Sequence, residues 1–176
     1  SFRDQVLKLN PDDYVEVTSF THHPFYQPVR LEIPDNWSHN TRYLNVPLDD
    51  MEKIMTNALS KGYTISWGGD TSEKGFNTKE GIALLDDESK EVTQAGRQDA
   101  FDDWRSTDDH SMHIVGLSKD ENGKTFYLTK NSYGAGVGPY AGYLHMSRNY
   151  VRMKTIYFMV HKDAIPADIR AKVSLK

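Results

Sequence analysis

Residues 110–130 constrain this chain more than any other stretch. His110-Ser111-Met112-His113-Ile114-Val115-Gly116-Leu117-Ser118 and Thr125-Phe126-Tyr127-Leu128-Thr129-Lys130 both read as strands. Between them, Lys119-Asp120-Glu121-Asn122-Gly123-Lys124 carries Asn-Gly at its tip, the dipeptide that tolerates the positive φ angles of a tight hairpin. An antiparallel hairpin is therefore expected, with the start of its first strand beside the end of its second. Further strands are expected over 13–21, 63–67, 143–146 and 155–161, and the 11% share of aromatic residues suits β-structure.

One helix stands out. Leu48, Met51, Ile54, Met55, Ala58 and Leu59 recur at helical spacing over 48–61, Asp49 or Asp50 offers an N-cap, and Gly62 sits where a left-handed C-terminal residue belongs. Shorter helices are expected within residues 1–12, carrying Phe2, Val6 and Leu7 and broken by Asn10-Pro11, and over 97–105, carrying Ala100, Phe101 and Trp104. Residues 22–37 hold three prolines and read as irregular or edge structure. Residues 69–96 read as a long polar excursion, and 134–142 as a glycine-rich loop. An early helix followed by mostly antiparallel strands is an α+β domain, a sheet or barrel with peripheral helices. Its divisions are 1–47 as lead-in and start of the β subdomain, 48–62 as helix, and 63–176 as antiparallel β region.

Composition narrows the function classes. At 176 residues, with 38% hydrophobic and 26% charged residues, the chain can bury its own core. A net charge of −4 and no basic run among aromatics argue against nucleic acid as a partner. No apolar stretch of about 18 residues offers a membrane span, and Ser1-Phe2-Arg3-Asp4 lacks the layout of a secretion signal. A cytoplasmic location is expected, with a periplasmic or exported one left open. The absence of cysteine excludes disulfides, thiolate metal sites and a thiol nucleophile within this chain.

The hairpin also concentrates the chemistry. His110 begins one strand and Asn131 follows the other, so the two side chains can meet although 21 positions apart. An amide oxygen on one ring nitrogen fixes the rotamer and tautomer of a histidine, freeing the other nitrogen to exchange a proton with a nucleophile. A surface histidine beside a turn asparagine is the alternative reading of the same spacing. Other features read as structural. Gly134-Ala135-Gly136-Val137-Gly138-Pro139 lacks the Gly-Lys-Ser/Thr of a phosphate loop. His110 with His113 points to opposite faces of a strand, and His22-His23 has the same difficulty, so no metal site and no cofactor is expected. Glu73, Glu80, Asp86, Asp87 and Glu88 read as a solvated surface, and Trp37, Trp67 and Trp104 as packing residues.

Asp109-His110-Ser111-Met112-His113-Ile114-Val115-Gly116 and Lys130-Asn131-Ser132-Tyr133-Gly134 resemble the histidine and asparagine boxes of papain-like cysteine peptidases. Ser19-Phe20-Thr21-His22-His23-Pro24-Phe25-Tyr26, Pro34-Asp35-Asn36-Trp37, Lys61-Gly62-Tyr63-Thr64-Ile65-Ser66-Trp67, Ser72-Glu73-Lys74-Gly75-Phe76, Arg97-Gln98-Asp99-Ala100-Phe101 and Val160-His161-Lys162-Asp163-Ala164-Ile165-Pro166 extend the resemblance to the aminopeptidase C and bleomycin hydrolase group, bacterial type. The resemblance implies that the chain is the carboxy-terminal half of such a fold and acts on peptide substrates. His110 would be the general base and acid and Asn131 its orienter, with Asp109, Ser111 and Tyr133 as substrate-contacting or shielding residues. The group usually has tryptophan where Tyr133 stands. The resemblance further implies a cysteine-bearing amino-terminal half as partner, assembly into a homo-oligomer, and a carboxy-terminal tail, here ending at Lys176, lying in the cleft. A non-catalytic peptide-binding or structural domain on the same scaffold is the alternative.

Overall fold

The structure is a computed structural model and describes residues 1–173. The strands are β1 (Tyr14–Thr18), β2 (Gln27–Val29), β3 (Tyr43–Asn45), β4 (Ile65–Gly69), β5 (Phe76–Asn77), β6 (Ile82–Ala83), β7 (His110–Lys119), β8 (Thr125–Lys130), β9 (Tyr143–Ser147) and β10 (Thr155–His161). The helices are α1 (Leu48–Ser60), α2 (Gln94–Asp102), α3 (Arg148–Lys154) and α4 (Ala167–Val173). All ten strands join one sheet in the order β2-β3-β1-β10-β4-β7-β8-β9-β6-β5. Pairing is antiparallel except between β1 and β3 and between β6 and β9. The α+β class expected from sequence is what forms, as an open sheet rather than a closed barrel.

The core forms where periodicity says it should. Met51, Ile54, Met55 and Ala58 of α1 are fully buried against Ile65, Trp67, Ile114, Tyr127 and Phe158 from the sheet. Burial of side chains this size contributes about 1.5–3 kcal/mol each. The hairpin of β7 and β8 closes through a bond from the Gly123 N–H to the Asp120 carbonyl, and Asp120 Oδ1 accepts from the N–H groups of Asn122 and Lys124.

Several expectations are corrected. The cap of α1 is neither Asp49 nor Asp50: the helix starts at Leu48, whose N–H donates to Gln94 Oε1 at 2.7 Å, a cap supplied by a remote side chain. Asp49 and Asp50 sit in the first turn, where the helix dipole favours carboxylates. Helix α2 begins three residues before the expected 97, because Thr93 Oγ1 caps it by accepting from Gly96 N–H. Within the stretch read as antiparallel β, α3 appears where no apolar stripe announced a helix. Ser147 Oγ caps it from Tyr150 N–H, and Asn149, Tyr150, Val151, Arg152 and Lys154 are all buried. Of the three tryptophans read as packing residues only Trp67 is interior; Trp37 and Trp104 are 82% and 74% exposed. No helix among the described residues is long and apolar enough to cross a membrane.

Candidate functional site

β7 is inserted between β4 and β8, so His110 sits at its first position, paired with Gly69. Alternation puts Met112 and Ile114 on the buried face, and the His110 ring follows them while remaining partly open to solvent. β8 pairs Lys130 with His113. Continued one residue further, that register sets Asn131 opposite Met112, on the face His110 uses. A bond from Asn131 N–H to Gly142 O at 3.0 Å fixes the backbone there. Gly142 has φ +83°, and a Cβ on it would lie 2.5 Å from Gly134 O, so only glycine closes the 134–142 loop onto Asn131.

His110 Nε2 lies 2.9 Å from Asn131 Oδ1. The same oxygen accepts from Ser132 N–H at 2.7 Å. A backbone N–H can only donate, so this second bond fixes which amide atom faces the ring. The oxygen faces His110, hence Nε2 carries the proton and the Nδ1 lone pair is left available. Asn131 is 4% exposed, and its Nδ2 is buried with no partner among the described residues. Tyr133 lies beside the ring, with centroids 5.5 Å apart at 44°, and Phe76 flanks it edge-on at 6.5 Å. Tyr133 remains half exposed, so the contact is only partly covered.

Asp109 and Ser111 do not join this contact. Asp109 Oδ1 accepts from Thr71 N–H and Thr71 Oγ at 2.9 and 3.1 Å, so its carboxylate ties the start of β7 to the segment after β4. Ser111 is exposed on the opposite face of β7, as is His113.

Asp108, two residues before His110, was given no role from sequence. Burial, with Asp35 and Asp109 close by, pushes its carboxyl up to about 6. An acid with a raised folded pKa binds its proton more tightly when folded. Its contribution is therefore fully present below about 3.8 and lost as pH rises through about 6. Asp108→Asn should raise the melting temperature more near pH 7.5 than near pH 4.5. Equal shifts at the two pH values would contradict this.

The His22-His23 pair also departs from expectation. Its rings do not diverge: their centroids are 4.4 Å apart, and the two Nε2 atoms lie 3.6 and 2.8 Å from Glu32 Oε2. The surrounding bonds argue against a metal nonetheless. Gln98 Oε1 accepts from Thr21 N–H, which turns its Nε2 toward His22 Nδ1 at 3.0 Å and Asp102. His22 Nδ1 is thereby the acceptor and its Nε2 carries the proton, the reverse of what ligation through Nε2 requires.

The Peptidase C1-like family model matches residues 1–176. The chain is 24% identical over 175 residues to aminopeptidase G of Lactobacillus delbrueckii subsp. lactis, covering 96% of this chain and 40% of that protein. It is 25% identical over 154 residues to aminopeptidase C of Lactobacillus helveticus, covering 84% and 34%. The crystal structure of pepW from Lactobacillus rhamnosis HN001 superposes with a TM-score of 0.76 at 20% identity, over 98% of this chain and 40% of that one. The chain thus spans about 40% of the length of the first of these relatives. On a match that runs the whole length of the sequence, this chain belongs to the Peptidase C1-like family.

Proposed function

We propose that this chain supplies the imidazole and its orienting amide to a cysteine-type aminopeptidase whose thiol lies in a segment this chain does not span. The observation that carries the reading is the 2.9 Å contact between His110 Nε2 and Asn131 Oδ1, with the amide oriented by Ser132. Nδ1 takes the thiol proton, and the thiolate attacks the peptide carbonyl. The imidazolium returns that proton to the leaving amine. Imidazole then activates water to cleave the thioester. A neutral amide suits the orienter, because the active form is already an ion pair and needs no further carboxylate. Removal of amino-terminal residues, rather than internal cleavage, follows the names of the relatives. Homo-oligomeric assembly and a cytoplasmic location, where thiols stay reduced, belong to the same proposal. The tail ending at Lys176 lies outside the described residues.

The test uses the full-length protein with aminoacyl-coumarin amides and their amino-acetylated counterparts. Release from the free-amine substrates, abolished by thiol alkylation, is expected, with none from this 176-residue chain alone. Turnover by the cysteine-free chain itself would sink the reading. Full-length protein that binds these peptides without cleaving them would favour the non-catalytic domain.

A further inference from the structure

The residues that deliver His110 to its position are held by a set of bonds that the peptidase chemistry above does not use. After α2 the chain turns at Trp104, which has φ +65°, and runs through residues 105–109 into β7. This loop is tied to the end of β4 twice, in opposite senses. The Asp70 carboxylate accepts from Thr107 N–H at 2.8 Å and Thr107 Oγ at 3.1 Å. In return, the Asp109 carboxylate accepts from the N–H and hydroxyl of Thr71. Asp109 N–H also bonds Gly69 O at 3.2 Å, immediately before the His110–Gly69 pair.

Asp70 is the deeper of the two carboxylates, at 1% exposure. Its other oxygen accepts from Ser72 N–H and Ser72 Oγ at 2.9 and 2.7 Å. Lys154, equally buried, brings its ammonium within 3.5 Å of Asp70 and 2.8 Å of Glu73, and donates to the Arg105 carbonyl inside the loop. The Asp70 N–H bonds the Lys154 carbonyl, and the Tyr150 hydroxyl donates to the Asp70 carbonyl. Burial raises the Asp70 carboxyl, but the Ser72 and Thr107 bonds and Lys154 outweigh it and hold the group below its ordinary range. It is therefore an anion throughout the neutral range. A buried carboxylate with four donors and a cation has its lone pairs engaged, and an amide in its place would set an NH2 against two of those donors.

We propose that Asp70 is the positioning residue of His110, fixing through Thr107 and the reciprocal Thr71–Asp109 clasp the height at which the imidazole meets Asn131. The inference rests on the peptidase reading for its consequence in turnover, but its geometric part stands independently. The clasp joins the two residues that follow β4, Asp70 and Thr71, to Thr107 and Asp109 just before His110, so it controls where β7 begins. Slippage there moves the ring along the strand while Asn131 stays held by Gly142 and Ser132. Misplacement of a catalytic group by about an ångström costs on the order of 10²-fold in rate.

The experiment compares full-length wild type with Asp70→Asn and with Thr71→Val and Thr107→Val, each of which deletes one hydroxyl bond and leaves the backbone N–H bond. Asp103→Asn, in the same loop but exposed and outside the clasp, is the control. Two quantities are read: kcat and KM on an aminoacyl-coumarin amide, and the NMR signal and solvent exchange of the His110 Nε2–H. Asp70→Asn should lower kcat about 10–10²-fold with KM within about twofold, and should speed exchange of the Nε2–H. The two valine variants should each give a smaller loss of the same kind, and the control none. Unchanged kcat and an unchanged His110 signal in folded Asp70→Asn would overturn the proposal. If Asp70→Asn fails to fold, wild-type values in both valine variants would overturn it equally. An inactive wild type would defeat the peptidase reading, whereas the His110 signal would still decide the positioning role.

Discussion

On the proposed peptidase mechanism, full-length protein carrying His110→Ala is expected to lose turnover by about 10²–10⁴-fold, the contribution of a group that both accepts and returns the proton. Asn131→Ala, which frees the ring to rotate, will lose about 10²-fold. His113→Gln, on the exposed opposite face of β7, will turn over normally. A second measurement separates chemistry from folding: the rate of thiol alkylation against pH. With His110 in place, the proposed mechanism requires alkylation to stay fast well below neutrality, because there the thiol gives its proton to the imidazole. In His110→Ala it should follow an ordinary thiol, with a midpoint near about 8.5. Wild-type turnover in folded His110→Ala would end the assignment.

The largest effect on stability is expected at Arg97. Its side chain is fully buried, stacks 4.5 Å over the Phe20 ring, and among the described residues donates to carbonyls alone: Ser19 and Arg152 at 2.9 Å, Met153 at 3.3 Å, and Thr155. Burial, with Arg152 nearby, pushes the guanidinium down to about 9, still protonated at neutral pH. Four bonds from one rigid plane join Ser19, just after β1, to the junction of α3 and β10. Arg97→Met keeps the apolar stem but strands those carbonyls, each costing about 1–3 kcal/mol when buried without a donor. The expected loss, after local relaxation, is about 3–5 kcal/mol, or on the order of 10 °C in melting temperature. Arg97→Lys should recover only part of it, since an ammonium cannot span the same fork. An unchanged urea midpoint for Arg97→Met at neutral pH would contradict this account.

How much was legible in the sequence depends on how far each feature reaches along the chain. Alternation and the Asn-Gly tip gave the β7–β8 hairpin, and antiparallel geometry alone brought His110 toward Asn131. The 3.6-residue repeat gave α1, with Gly62 in the left-handed region at φ +81°. Alternation alone turned Ser111 away from His110, whereas the Thr71 bonds that occupy the Asp109 carboxylate were not legible. Tyr133 was placed at the contact, yet its half-exposed setting depends on how the 134–142 loop closes.

What only the tertiary structure decided are the features whose partners lie far apart in sequence. Polar α3 could not be read as a buried helix, because Arg152 and Lys154 become interior only through Asp49 and Glu52 of α1, and through Asp70 and Glu73. The cap of α1 comes from Gln94, and the parallel pairing of β1 with β3 joins Val17 to Leu44. His22, His23 and Glu32 converge on a turn that no periodicity describes. Trp37 and Trp104 read as packing residues from their large apolar rings, but the fold leaves both facing outward. Periodicity reports which face of an element meets a core. It says nothing of buried charges and polar clasps such as Asp70 with Thr107, because a buried ion is tolerated only where remote segments have already brought its partners.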